Sequence, residues 1–184
     1  INIAKACQSL HRAGFSYQDI NDGSFFMNVD NGDILICDND NVAPFGTSLG
    51  IAGKDRYMAP EVCLGKNAPD IKTDLFSLAV VLFLLVFNAH PLEGEKVHKC
   101  PCLTSKFLME FYAKNPVFIY DPNDKSNRPV RGIDSNVLVL WPLFPDYIKE
   151  LFVKAFTTGL DRDSRIWEKE WIETFDKLAS DVLF

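Results

Sequence analysis

From Ile1 to Arg12 the apolar positions Ile3, Ala6, Cys7 and Leu10 fall on one helical stripe, and Gly14 follows as a stop. Phe15 to Asn21 then mixes aromatic and polar residues with no helical period. Phe25 to Val29 reads as a short strand, Asp30 to Asp33 as a tight turn and Ile34 to Cys37 as a second strand. An Asn-Gly pair between two apolar runs is a strong hairpin signal, because both central residues of such turns need positive φ. Asp38 to Lys54 carries three separated glycines and little periodicity, which predicts a surface loop.

A second helix is predicted over Thr73 to Asn88. Its run Leu75 to Phe87 is apolar except for Ser77, the pattern of a helix buried on all sides. That run is too short to cross a bilayer, which takes roughly 20 residues. His90 to Gly94 ends it. Further helices are expected at Leu103 to Ala113, from Pro145 through Phe156 with Asp146 near the positive end, and from Glu168 to Leu178. Trp167 and Trp171, four residues apart, predict an inward-packing helix face. The polar stretch Asp121 to Pro129 separates these segments, and no repeat interrupts them. The expected fold class is one mainly α domain with a small β-hairpin near its start (α+β in the strict sense).

Composition narrows the function. The 184 residues suit a single core, and 15 Phe with 3 Trp make that core aromatic. Acidic residues outnumber basic ones 25 to 19, for a net charge of −6, which argues against nucleic acid as a partner. Cys7, Cys37, Cys63, Cys100 and Cys102 are an odd, scattered set that predicts free thiols in a reducing, cytoplasmic setting. Cys100-Pro101-Cys102 lacks a second cysteine pair and reads as a loop with two thiols rather than a metal site. No signal peptide or membrane segment is visible, and the opening on a helix without an initiator Met predicts an excised fragment.

Five motifs stand in a telling order. Tyr17-Gln18-Asp19-Ile20-Asn21-Asp22-Gly23-Ser24 resembles the protein-kinase catalytic loop HRDLxxxN, and Cys37-Asp38-Asn39 falls where the metal-binding DFG stands. Arg56-Tyr57-Met58-Ala59-Pro60-Glu61 resembles the segment that closes the activation loop. Asp74-Leu75-Phe76-Ser77-Leu78 resembles the start of the family's central helix, and Asp161-Arg162-Asp163-Ser164-Arg165 its late D-P-x-x-R signature. The chain thus resembles the C-terminal lobe of a protein kinase. Gly23-Ser24-Phe25-Phe26 and Cys37-Asp38-Asn39-Asp40-Asn41 resemble a bacterial branch of eukaryotic-type Ser/Thr kinases.

The resemblance implies ATP and Mg²⁺ as cofactors and a protein hydroxyl as acceptor. Asp19 would orient that hydroxyl and take its proton, and Asp38 would hold Mg²⁺ against the phosphates. Ser24 stands where the family has a metal-holding Asn, so the second metal rests on Ser24, Asp22 or Asp40. Asn21 replaces the usual Lys, and Lys54, opposite, is the candidate for the missing positive charge. Gln18 replaces the Arg that pairs with a phosphorylated loop, so phosphorylation at Thr47 or Ser48 is not expected to activate. Asn39 replaces the DFG Phe, and Tyr17 is placed to fill part of that volume. Glu61 and Arg165 are expected to form a buried ion pair, and Asp74 to accept backbone N–H groups of the catalytic loop. His11 and His90 are read as packing or capping residues.

The Gly-rich loop and the strand Lys that grip ATP belong to an N-terminal lobe, and nothing in this sequence matches them. Gly46-Thr47-Ser48-Leu49-Gly50 is too short and lies on the wrong side of Asp38. Residues 1–184 alone are therefore expected to be inactive, with an exposed face suited to the missing lobe or to a second copy. Two alternatives remain. Asn21, Ser24 and Asn39 suit a pseudokinase scaffold or binding module, whereas a small-molecule phosphotransferase would share the aspartates but lack the Arg56–Glu61 segment.

Overall fold

A computed structural model describes residues 1–50, 53–102 and 104–182. Helix α1 (Asn2–Arg12) leads into strand β1 (Phe15–Ser16), and the hairpin β2 (Phe25–Met27) and β3 (Ile34–Ile36) follows. Strand β4 (Ala43–Pro44) returns to pair antiparallel with β1, so that Ser16 faces Ala43. In the hairpin Phe25 pairs with Ile36, Phe26 with Leu35 and Met27 with Ile34. Gly32 takes a positive φ of 74° but Asn31 does not. The hairpin therefore closes through a longer turn, held by the Asn28 N–H on the Asp33 carbonyl and the Gly32 N–H on the Asn28 carbonyl, instead of the two-residue turn of the Asn-Gly signal.

The rest is helical: α2 (Pro60–Cys63), α3 (Ile71–Phe87), α4 (Glu95–His98), α5 (Ser105–Met109), α6 (Ser135–Leu140), α7 (Asp146–Phe156) and α8 (Glu168–Val182). Helix α3 is the axis. Asp70 caps it in a reciprocal box with Thr73, each side chain bonded to the other's backbone N–H, an arrangement worth about 1 kcal/mol. Asn88 ends it in the left-handed conformation. The expectation of burial on all sides fails at one edge, because Leu85 is exposed while its neighbours one turn earlier are covered.

Phe83 on α3 is the hub of an aromatic core. Its ring meets Phe87, Phe118, Trp141, Phe152 and Phe156 at centroid distances between 4.7 and 6.2 Å, mostly edge-on. Several expected boundaries shift. The strand read as Phe25 to Val29 closes at Met27, and the helix expected from Leu103 has its first residue outside the described residues. It runs as α5 and then loosens into a single π turn over Glu110–Lys114. The last helix continues past Leu178 to Val182. The Trp pair is split, since Trp171 is fully buried on α8 while Trp167 precedes the helix and is half-exposed.

The polar stretch before Pro129 hides a structural centre. Asn127 is buried, accepts from the N–H groups of Gly94 and Lys96, and donates to the carbonyls of Leu92 and Val117. All five cysteines are free. Among the described residues no helix is long and apolar enough to cross a membrane, and no group of three or more His, Cys, Asp or Glu side chains is arranged to hold a metal ion.

Candidate functional site

The segment 16–24 bends between β1 and β2 and is anchored from below. Asp74, buried in the first turn of α3, accepts the backbone N–H of Tyr17 at 2.7 Å and of Gln18 at 3.1 Å. Those bonds hold Gln18 at a φ of 65°, a left-handed conformation that costs a non-glycine residue about 1–2 kcal/mol. Asp19 follows directly, turned toward the opposite wall.

That wall is Gly53-Lys54. The Lys54 backbone N–H donates to Asp19 Oδ1 at 3.1 Å, and its ammonium donates to Asn21 Oδ1 at 2.7 Å. Asp22 Oδ1 lies 3.8 Å from the same ammonium. Gly53 permits this approach: a Cβ there would stand 2.9 Å from Asp19 Oδ1 and 3.3 Å from Met58. Lys54 therefore lies beside the position where the family would place a loop Lys, with Asn21 as its acceptor.

Ser24 is withdrawn from this surface. It is 1% exposed; its hydroxyl accepts from the Asn21 N–H and donates to the Asp19 carbonyl. Its oxygen braces the loop from inside. Asp38 is exposed and sits at a φ of 53° just after β3. Its neighbour Cys37 is tied to the loop twice, through its N–H to the Ser24 carbonyl and through its carbonyl to the Tyr17 hydroxyl. Tyr17 is buried beneath the site, and burial, with Asp38 and Asp19 nearby, pushes its phenol pKa up. The geometry thus gathers Asp19, Asn21 and Lys54 across one gap, with Tyr17 near both Asp19 and Asp38 and with Ser24 facing inward.

Gln18 has a second task that its sequence position did not reveal. Its carboxamide donates to the Thr47 carbonyl at 2.7 Å and to Ser16, and accepts from the Leu49 N–H at 3.1 Å. A neutral amide thereby fastens the loop after β4. Only its atom count, one donor and one acceptor end, could have signalled this role.

The segment's far end is pinned by Arg165. Its guanidinium meets Glu61 through two bonds of 2.7 and 2.6 Å and also donates to the Lys72 carbonyl at 2.8 Å. Arg56 grips Glu93 in a similar fork, and the Tyr112 hydroxyl joins the same carboxylate. Burial tends to raise the Glu93 pKa, but the hydrogen bonds from Tyr112 and Arg56 and the Arg56 charge bring it below the usual carboxylate range. Complete burial pushes His90 down to about 4, so it is a neutral ring bonded to the Arg56 carbonyl. The Arg165–Glu61 pair is the one the motifs predicted. Glu93, Tyr112 and His90 stand outside every motif, and the sequence offered no signal for their contacts with Arg56.

A protein kinase domain model matches residues 1–140. A probable serine/threonine-protein kinase of Corynebacterium efficiens is 28% identical over 102 residues, covering 52% of this chain and 15% of that protein. Serine/threonine-protein kinase sck2 of Schizosaccharomyces pombe is 29% identical over 98 residues, 51% of this chain and 15% of its own length. The nek3 probable serine/threonine-protein kinase of Dictyostelium discoideum is 28% identical over 135 residues, 68% of this chain and 11% of its own. The chain spans less than a sixth of the length of these relatives, which come from bacteria and eukaryotes alike. With the loop, wall and anchoring helix in this order, the chain belongs to the protein kinase domain family.

Proposed function

We propose that residues 1–184 are the large C-terminal lobe of a Ser/Thr-type protein kinase that transfers the γ-phosphoryl group of ATP to a protein hydroxyl. One observation carries the reading: Asp19 Oδ1 is oriented by the Lys54 N–H while the Lys54 ammonium sits across the same gap on Asn21. Asp19 aligns the acceptor hydroxyl and receives its proton. Lys54 supplies, from the opposite wall, the positive charge that developing negative charge on the phosphoryl group requires.

Asp38 fits a hard cation, since its carboxylate is exposed and makes no hydrogen bond among the described residues. Mg²⁺ held there with ATP would neutralise phosphate charge. With Ser24 turned inward, Asp38 is the first metal-holding candidate of this lobe and a second ion would fall to the exposed Asp22 or Asp40. The same turn favours the second reading, a pseudokinase scaffold in which the loop is braced for shape.

The exposed cross-strand pair Phe26 and Leu35 forms an apolar patch on one face of the hairpin. That face suits a separate nucleotide-holding lobe, or a second copy when the lobe is alone. Light scattering that finds only monomer at high concentration would count against self-association. Five free thiols suit a reducing, cytoplasmic setting.

The test uses the full-length protein and transfer from labelled ATP to a generic protein substrate. Asp19→Asn is expected to lower kcat by roughly 10²-fold or more, and Lys54→Ala by about 10-fold or more with the larger effect on kcat. An Asp19→Asn enzyme as active as wild type would overturn the reading, and an unchanged kcat for Lys54→Ala would remove Lys54 from it. Residues 1–184 by themselves are expected to show no transfer.

A further inference from the structure

His11 on α1, Asp74 on α3 and Glu168 in the first turn of α8 come from three distant parts of the chain. They meet in the interior at 8%, 2% and 3% exposure. His11 Nδ1 hydrogen-bonds Glu168 Oε1, and Nε2 lies 3.1 Å from Asp74 Oδ2. Asp74 is the residue that holds the Tyr17 and Gln18 amides, immediately before Asp19.

A neutral imidazole carries one donor and one acceptor, and an ionised carboxylate only accepts. A ring flanked by carboxylates on both sides satisfies them only when both nitrogens are protonated. With Glu168 absent, Nε2–H alone could serve Asp74 and the ring could remain neutral. Glu168 therefore decides the charge state of the group that faces Asp74. We propose that Glu168 is a positioning residue for the catalytic loop, holding His11 as a doubly donating imidazolium that fixes Asp74 and, through it, the backbone ahead of Asp19.

The groups facing His11 agree. Burial alone would lower its pKa, but the bonds and charges of Asp74 and Glu168 outweigh that and raise it to about 9. Burial raises Asp74, and His11 opposes the rise. Cys7, one turn earlier on α1, is the other titratable group here; burial and the two carboxylates push its thiol up, so it stays neutral. A packing role for Glu168 would need no charge, and an apolar side chain would fill the space.

The catalytic meaning of this relay rests on the kinase reading, but its test does not. Nitrogen-15 NMR of residues 1–184 should show both His11 ring nitrogens protonated at neutral pH. The amide signals of Tyr17 and Gln18 should move with the His11 midpoint as pH rises. Glu168→Gln should lower that midpoint by about one pH unit or more. Loop amides that ignore the His11 titration in the wild-type chain overturn the proposal even if Glu168→Gln fails to fold. An unchanged midpoint in folded Glu168→Gln overturns it as well. In the full-length enzyme Glu168→Gln should lower kcat with KM nearly unchanged and move the alkaline limb of the kcat profile to lower pH. Absence of any transfer activity in wild type would defeat the kinase reading while leaving the NMR result intact.

Discussion

Removing Arg165 should destabilise this fold by leaving Glu61 as a water-shielded carboxylate without its main partner. Its side chain is 2% exposed and that of Glu61 12%, so the pair is shielded from water. Arg165→Met keeps the volume against Phe76, over which the guanidinium carbon lies at 5.5 Å. The change deletes both bonds to Glu61 and the bond to the Lys72 carbonyl. A buried carboxylate stripped of its partner costs about 3–5 kcal/mol. Arg162, 3.7 Å from Glu61 but already bound to Asp70, offers partial relief, so the lower end of that range applies. A loss of about 3 kcal/mol corresponds to a fall of roughly 6–12 °C in Tm for a chain of this size. Urea unfolding followed by Trp fluorescence, with buried Trp171 as a reporter, would measure it. Glu61→Gln in the same background should recover part of the loss, because neither charge is then orphaned; a coupling of about 1–3 kcal/mol is expected. A cost below about 1 kcal/mol for Arg165→Met would refute the reasoning.

Other outcomes follow from the same geometry. His11 binds its proton more tightly folded, with a pKa of about 9, than unfolded, near 6.5. Its contribution is therefore full below pH 6.5 and is lost as pH climbs toward 9, on the order of 3 kcal/mol over that window; flat stability between pH 7 and 9 in urea titrations would contradict it. Gly53→Ala places a methyl 2.9 Å from Asp19 Oδ1, so activity of the full-length enzyme should fall at least about 10-fold while Tm moves little; wild-type turnover would refute the close approach. Gln18→Ala releases the Thr47 and Leu49 backbone, and limited proteolysis should cut near that loop several-fold faster than in wild type.

How much was legible in the sequence depended on whether the signal was local. Periodicity placed α1, α7 and α8 and the long apolar helix, because each carries its own stripe or its own cap. The hairpin was likewise legible from its Asn31-Gly32 pair, although the turn that forms runs from Asn28 to Asp33 with only Gly32 at positive φ. Short helices α2, α4 and α6 carried no such pattern, since a single turn cannot express a period of 3.6 residues. The expectations of a helix face that includes Trp167 and of regular helix through Ala113 failed because tertiary packing chose where those segments bend.

The site divides along the same line. Motif order marked Asp19, Asp38, Asp74, Glu61 and Arg165, and the absence of Lys at position 21 pointed to Lys54. The sequence alone thus determined which chemical groups exist and which of them recur in a recognisable order. Only the tertiary structure decided where they point. Ser24 lies one residue from an exposed glycine, yet its hydroxyl turns inward to satisfy the loop's own backbone. Gln18 could reach Thr47 and Leu49 only once β1 and β4 had paired. His11 met Glu168 only when α8 packed across α1. Hydrogen bonds act over about 3 Å in space, whatever the separation along the chain, so no local pattern of residues could announce them.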